Sequence, residues 1–216
     1  MTQPDTLHSH QPVQQAGVPL QTARAAVVML HGRGATAASI LSLAAELRLD
    51  DVAYVAPQAE GNTWYPLSFL APIERNEPWL SSALAAVGTA LTRTAAAGVP
   101  LERTVLLGFS QGACLAAEFA ARNARRYGGL AVLSGGLIGP VLRAENYTGD
   151  FSGMPAFLGC SDVDSHIPAE RVRESGELLQ RRGAVVTVRL YPGMAHTVNE
   201  DELARVRAMI SAAREA

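Results

Sequence analysis

Short apolar runs alternate with segments of helical period along this chain of 216 residues. The runs are rich in Val, Leu and Ala, and several are apolar at every position, which is typical of strands buried on both faces of a sheet. They predict six strands, at residues 26–30, 52–55, 105–107, 130–133, 156–158 and 185–188.

Between these runs, apolar residues recur every three or four positions, as on one face of a helix. Such stripes start at Ile40, Leu80, Val172 and Leu203. Gly98 and Gly183 follow two of the stripes as stop signals, and Asn199 precedes the last stripe as an N-cap. The strand–helix alternation predicts an α/β fold with a mostly parallel central sheet and helices on both faces.

The chain is expected to form one domain behind a polar arm. Residues 1–15 are polar, with Gln, His, Ser and Pro, and they are predicted to be a flexible arm in which His8 and His10 are solvated. An edge strand at the end of this arm is the alternative. Residues 16–216 contain no Pro/Gly/Ser-rich linker and form the single predicted domain. Hydrophobic residues make up 48% of the chain and charged residues 18%, which suffices for a buried core.

Charge and composition exclude several classes of protein. The net charge of −2 argues against nucleic-acid binding, which needs a basic surface. All eighteen basic residues are Arg, so a phosphate-loop lysine and Schiff-base chemistry are excluded. Cys114 and Cys160 form no CxxC pair, which favours a reducing compartment. With no secretory signal and no run of about 18 apolar residues, we expect a cytoplasmic protein without a membrane span.

The segment Gly108-Phe109-Ser110-Gln111-Gly112 lies between a predicted strand and a predicted helix. This G-x-S-x-G pattern is typical of a sharp turn in which a Cβ at either glycine would clash. The turn would raise Ser110 above the sheet and place the Gln111 N–H at the positive end of the helix. Ser110 is therefore the candidate nucleophile.

A serine nucleophile needs a base, normally a His that a carboxylate orients. His196 follows the strand at 185–188, precedes the last helix and is the last His of the chain. In this strand order the acid lies between the Ser and the His, at a strand end. Asp162 and Asp164, after the strand at 156–158, both qualify, and the residues alone leave the choice between them open.

Four motifs in this order resemble the phospholipase/carboxylesterase family of α/β-hydrolases, which includes acyl-protein thioesterases and small bacterial carboxylesterases. They are Leu30-His31-Gly32-Arg33-Gly34, the segment around Ser110, Asp164-Ser165-His166-Ile167-Pro168 and Gly193-Met194-Ala195-His196. The resemblance covers the chain from about Ala25 to the last helix. It implies a single-domain α/β-hydrolase without a large lid and with no metal or organic cofactor.

The resemblance also implies roles for individual residues. Its acidic motif, D-x-D-P-x-V-P, identifies Asp164 rather than Asp162 as the triad acid. The main-chain N–H groups of Arg33 and Gln111 would form the oxyanion hole, with His31 as a structural imidazole beneath the loop.

A long loop without clear periodicity follows the strand at 52–55 and carries three aromatic residues. These residues, which we expect to wall the substrate site, are Trp64, Tyr65 and Phe69. The run Trp64-Tyr65-Pro66 also resembles the small bacterial esterase branch of the family.

The sequence thus predicts a serine carboxylic-ester hydrolase that acts on small-molecule esters of short to medium acyl length. A thioesterase or lysophospholipase for longer acyl chains is the alternative, since the same triad serves both. A non-catalytic binding protein on the same scaffold is a third interpretation, against which the intact Ser, Asp and His argue. A homodimer is compatible with the sequence, which does not decide the oligomeric state.

Overall fold

The computed structural model describes residues 7–47 and 49–216 and contains a seven-stranded sheet. The strands are β1 (Val13–Gly17), β2 (Ala25–Leu30), β3 (Val52–Pro57), β4 (Thr104–Phe109), β5 (Gly129–Leu133), β6 (Pro155–Ser161) and β7 (Val185–Tyr191). Their order is β1-β3-β2-β4-β5-β6-β7, and only the β1–β3 pair among them is antiparallel. The predicted α/β fold with a mostly parallel sheet is confirmed, and all six predicted runs lie within strands.

In the part of the chain that the structure describes, five α-helices lie in the connections between parallel strands, and a sixth follows β7. They are α1 (Ala37–Leu41), α2 (Leu43–Leu47), α3 (Trp79–Ala96), α4 (Gln111–Arg122), α5 (Ala169–Arg181) and α6 (Glu200–Ala213). The stripe that starts at Ile40 was expected to form one helix, but a break at Ser42 divides it into α1 and α2.

The central strands separate two apolar cores. Successive residues of a strand point to opposite faces, so Val28 packs in one core and Val27 in the other. The first core contains α3, α4 and α5 residues, and the second contains residues of α1, α2 and α6. Burial on both faces explains why β2 to β5 are apolar at nearly every position.

The segment just before the domain boundary differs from the predicted flexible arm. Residues 1–6 lie outside the described residues, but His8 is only 2% exposed and packs edge-on against the rings of Trp64 and Trp79. Its Nε2 lies 3.1 Å from the Trp64 carbonyl, and its Nδ1 accepts a hydrogen bond from the Glu60 N–H at 3.0 Å.

Five residues further on, β1 crosses the predicted boundary and pairs with β3, with Gln14 opposite Ala56. The expectation of a solvated arm is therefore wrong for His8, whereas His10 is exposed as expected, and β1 is an edge strand, as in the alternative interpretation. Contacts with residues more than 40 positions away order this polar segment. Within the described residues, no helix is both long and apolar enough to cross a membrane.

Candidate active site

Ser110 lies on the sharp turn between β4 and α4. Its backbone has φ 55° and ψ −118°, a left-handed conformation that L-residues rarely adopt. A Cβ on Gly108 would lie 2.2 Å from the Gly112 carbonyl oxygen, and one on Gly112 would lie 2.1 Å from the Leu30 carbonyl oxygen. The strained turn thus requires both glycines, as the G-x-S-x-G pattern predicts.

His196 lies in the loop between β7 and α6 and joins Ser110 to Asp164. Its Nε2 is 2.9 Å from Ser110 Oγ, and its Nδ1 is 2.7 Å from Asp164 Oδ2. The loop ends in a capping box, in which Asn199 and Glu202 exchange side-chain and main-chain hydrogen bonds of 2.9 Å. This cap holds the start of α6 and with it the loop that carries the imidazole.

Asp164 is the carboxylate that contacts the imidazole. Its side chain is fully buried, and its second oxygen accepts hydrogen bonds from the N–H groups of His166 at 2.8 Å and Ile167 at 3.1 Å. Burial acts to raise its pKa, but the hydrogen bonds from His196 and from these two N–H groups outweigh burial. The pKa of Asp164 is therefore lower than usual, which keeps the carboxylate charged beside His196.

Asp162 has a different position from Asp164. Its Oδ1 accepts a hydrogen bond of 2.8 Å from the N–H of Gly193, three residues before His196. Asp162 therefore ties the two turns together, while Asp164 faces the imidazole. The residues alone left open which carboxylate orients the imidazole, and in the structure it is Asp164 that contacts His196.

The loop after β2 and the start of α4 meet beside Ser110. Gly32, Arg33, Ser110 and Gln111 line one cavity of about 640 Å³, which we call the front cavity. The N-terminus of α4 gives this place a partial positive charge. The family resemblance implies that the main-chain N–H groups of Arg33 and Gln111 form the oxyanion hole. Both residues line the same cavity as the nucleophile Ser110.

His31 supports the loop from behind. Its ring is fully buried, with Nδ1 2.8 Å from the Gly32 carbonyl oxygen and Nε2 accepting a hydrogen bond from the Ala59 N–H at 3.1 Å. This arrangement fits a neutral ring with the proton on Nδ1. Burial lowers the pKa of His31, which favours the same neutral form.

The Gln111 side chain fixes the aromatic loop, a role that the sequence did not indicate. Its Oε1 accepts a hydrogen bond from the Trp64 N–H at 2.9 Å, and its Nε2 donates to the Tyr65 carbonyl at 2.8 Å. Gln111 is only 6% exposed, so these bonds are shielded from water. Gln111 thus carries a main-chain N–H that is expected in the oxyanion hole, and its side chain holds the aromatic loop that forms the neighbouring wall of the cavity.

The Arg33 guanidinium holds the same loop from its outer side. It donates to Thr63 Oγ1 at 3.1 Å, to the Pro66 carbonyl at 2.9 Å and to the Leu67 carbonyl at 2.7 Å. It also lies 5.9 Å from the centre of the Tyr65 ring. The loop at residues 63–67 lacks regular secondary structure, and these side-chain bonds replace the missing backbone ladder.

Two of the three aromatic residues expected at the substrate wall line the front cavity. Tyr65 and Phe69 do so, together with Leu67 and Ile167. Trp64 does not: it is fully buried, and its Nε1 donates to the His31 carbonyl at 2.8 Å. The expectation for Trp64 is therefore wrong, because the loop turns its indole into the core, where it supports the cavity from behind.

Known proteins resemble this chain in sequence and in fold. A family model described as Phospholipase/Carboxylesterase matches residues 12–214. A crystal structure of a phospholipase/carboxylesterase from Dyadobacter fermentans is 48% identical, with a TM-score of 0.90 over 93% of this chain and 96% of that chain.

Curated relatives match at lower identity. Acyl-protein thioesterase 1 from Saccharomyces cerevisiae is 27% identical over 85% of this chain and 90% of that protein. The acyl-protein thioesterase 1 of Gibberella zeae is 32% identical over 115 residues, and the match spans about half of that protein, 49% of its length. Because the family model covers nearly the whole chain, the predicted resemblance is confirmed, and this chain belongs to the phospholipase/carboxylesterase family of ester hydrolases.

Proposed function

We propose that this chain is a serine carboxylesterase that acts through an acyl-enzyme intermediate. One observation carries the proposal: the His196 ring bridges Ser110 Oγ and a buried, charged Asp164 at hydrogen-bond distance on both sides. A hydroxyl becomes an effective nucleophile when such an oriented imidazole accepts its proton.

In the first step Ser110 Oγ attacks the ester carbonyl carbon while His196 Nε2 takes the serine proton. Asp164 holds the proton of Nδ1 and stabilises the imidazolium that forms. The tetrahedral intermediate then collapses, and His196 gives its proton to the leaving alcohol. Water, activated by the same imidazole, attacks the acyl-enzyme and releases the acid.

The main-chain N–H groups of Arg33 and Gln111 would stabilise the oxyanion. Removing one such donor in enzymes of this type costs about 3–4 kcal/mol of barrier. Support for the role comes from the rigidity of both residues, whose side chains are tied to the loop at 63–67. Preorganised donors need no reorientation as charge develops on the carbonyl oxygen.

We propose that the preferred acyl groups are short to medium in length, with Tyr65 and Phe69 among the wall residues. The front cavity mixes its apolar walls with polar side chains such as Arg33, Ser68 and His166. A long acyl chain would therefore leave the apolar wall. In a series of esters with one alcohol and acyl groups of increasing length, we expect kcat/KM to stop rising before the acyl chain reaches about ten carbons. A steady increase of about fourfold per methylene beyond that length would contradict the proposal.

A fluorophosphonate probe tests the nucleophile directly. We expect prompt, stoichiometric labelling of the wild type and none of the Ser110→Ala variant. Absence of labelling in the folded wild type would overturn the esterase proposal and favour a non-catalytic binding protein.

A thioesterase function is the second candidate, because relatives that match this chain are acyl-protein thioesterases. The same triad can attack an ester or a thioester. A pair of substrates with the same acyl group, one an oxygen ester and one a thioester, separates the two functions by kcat/KM.

The proposal extends to location and assembly. Cys114 and Cys160 are both unpaired and buried, which supports a reducing, cytoplasmic compartment. Sedimentation analysis would decide between a monomer and a homodimer, since the sequence is compatible with both.

A further inference from the structure

A second cavity, which we call the side groove, adjoins the front cavity. It has a volume of about 390 Å³. The two cavities share Gly32, Ala35, Phe109 and His196 in their linings. The remaining lining residues of the side groove are His31, Ser39, Ile40, Leu43, Thr197 and Val198.

Four of the residues that line the side groove carry large apolar side chains that also contact the core. Leu43, Phe109 and Val198 are half-buried and pack against the core beneath α1, α2 and α6, and Ile40 is only 5% exposed. The Phe109 ring lies 5.0 Å from the His196 ring, centre to centre. The groove therefore offers a formed apolar surface that ends at the catalytic imidazole.

Residues on either side of Ser42 form part of this surface. Ile40 lies near the end of α1, and Leu43 begins α2 directly after Ser42. These two side chains are three positions apart and share one face of the α1–α2 region. Both line the groove as well as contacting the core.

The two linings differ in the residues that matter for the reaction. Ser110 and Gln111 line the front cavity and not the side groove, whereas His196 lines both. During the reaction the acyl group is bonded to Ser110 Oγ, so it must occupy the cavity that Ser110 lines. The alcohol needs to reach only His196 Nε2, which protonates it as it leaves.

From these contacts we propose that the side groove binds the alcohol portion of the ester and selects apolar alcohols. The inference rests on the proposed esterase function. Imidazoles are the only ionisable side chains in the described lining of the groove, so an alkyl or aryl alcohol fits it and an anionic or zwitterionic headgroup does not. A lysophospholipid, whose leaving group is a charged glycerophosphate ester, is thus a poor substrate.

Acetate esters of methyl, butyl, hexyl and benzyl alcohol test the proposal, because they share one acyl group. All of them form the same acetyl-enzyme, so alcohol binding affects acylation and not deacylation. In the wild type we expect kcat/KM to increase with the size of the alcohol. In the Leu43→Ala variant, the ratio of kcat/KM for hexyl acetate to kcat/KM for methyl acetate should fall about tenfold. The rate constant that changes should be that of acylation and not that of deacylation.

Leu67→Ala is the matched control, since it removes the same side-chain atoms from the wall of the front cavity. Its effect should follow acyl length when the alcohol is held constant. Thermal unfolding and the fluorophosphonate labelling rate establish that both variants are folded and carry an active Ser110. Ile40→Ala provides a second probe of the side groove if Leu43→Ala does not fold.

Two results would overturn the assignment of the groove. One is a wild-type kcat/KM that does not depend on the alcohol. The other is a Leu43→Ala defect that follows acyl length and appears in deacylation, which would make the groove the acyl site. Failure of the proposed function looks different, because an enzyme without a serine mechanism shows no acetyl-enzyme burst and no labelling of Ser110.

Discussion

The Asp164→Asn substitution should damage both catalysis and stability. In the structure the buried carboxylate accepts hydrogen bonds from His196 Nδ1 and from the N–H groups of His166 and Ile167. An amide has one acceptor oxygen, so either the imidazole or the backbone loses its partner. Hydrogen bonds to a charged acceptor contribute about 1.5–3 kcal/mol each, and we expect the free energy of unfolding to fall by about that amount.

The loss in activity should be larger than the loss in stability. Without the carboxylate, the His196 tautomer with its proton on Nδ1 is no longer favoured, and the imidazolium that forms during the reaction loses its counter-charge. We expect kcat to fall by about 10²–10⁴, which corresponds to about 3–5 kcal/mol of transition-state stabilisation.

Asp162→Asn is the matched control, two residues away. Its amide oxygen can still accept the hydrogen bond from the Gly193 N–H, so its kcat should stay within about tenfold of wild type. The assay compares steady-state ester hydrolysis of both variants at equal folded fraction, set by thermal unfolding. A collapse of kcat in Asp162→Asn, with Asp164→Asn near wild type, would refute the assignment of the triad acid.

The pH dependence of stability gives an independent check. The pKa of Asp164 is lower in the folded protein than its ordinary value of 3.8. Its contribution to stability is therefore present above that value and is lost as the pH falls through the folded pKa. Asp164→Asn should lack this component, so the stability difference between variant and wild type should shrink at the acid end of a denaturant-unfolding series.

Three further predictions follow from single residues. Ser110→Ala should abolish ester hydrolysis while thermal unfolding changes by only about 3 °C, because the small, half-buried hydroxyl contributes little packing; near-wild-type turnover would contradict the mechanism. Gly112→Ala should lower the free energy of unfolding by more than about 3 kcal/mol, since its Cβ would lie 2.1 Å from the Leu30 carbonyl. The control Gly98→Ala, at φ 99° with nothing within 4 Å, should cost about 1 kcal/mol, and equal losses would refute the steric argument. Burial lowers the pKa of His8 from 6.5, so the unfolded chain binds this proton more readily and stability falls as the pH drops below about 6.5. His8→Gln should flatten that decrease in unfolding experiments between pH 7 and 5, and an unchanged slope would show that His8 is not involved.

Local chemistry in the sequence was sufficient to predict the strands β2 to β7 and the nucleophile turn. Continuous apolar runs predict strands that are buried on both faces, and β2 to β5 are such strands. The requirement for glycine at position 108 follows from the tightness of the strand-to-helix turn, since a Cβ there would lie 2.2 Å from the Gly112 carbonyl oxygen. The requirement at position 112 is tertiary, because a Cβ there would lie 2.1 Å from the Leu30 carbonyl oxygen of β2. The apolar runs and the G-x-S-x-G pattern are nevertheless local in the sequence, so both can be recognised without knowledge of the rest of the fold.

The contacts between distant residues were decided only by the tertiary structure. Asp162 and Asp164 have the same chemistry at nearly the same place in the chain, and only the path of the turn after β6 directs Asp164 to His196. Trp64 and Tyr65 are likewise adjacent in a loop without periodicity, and the Gln111 side chain, by accepting from the Trp64 N–H and donating to the Tyr65 carbonyl, fixes the main chain of both residues in the conformation in which Tyr65 faces the cavity.

The same reason explains the polar segment before β1. His8 and His10 both lie among Gln, Ser and Pro residues and carry no local sign of burial, yet His8 is enclosed by two Trp rings that the fold brings to it from more than 50 residues away. Secondary structure is specified largely by neighbouring residues. The orientation of a side chain in an irregular segment depends instead on partners that only the assembled sheet supplies.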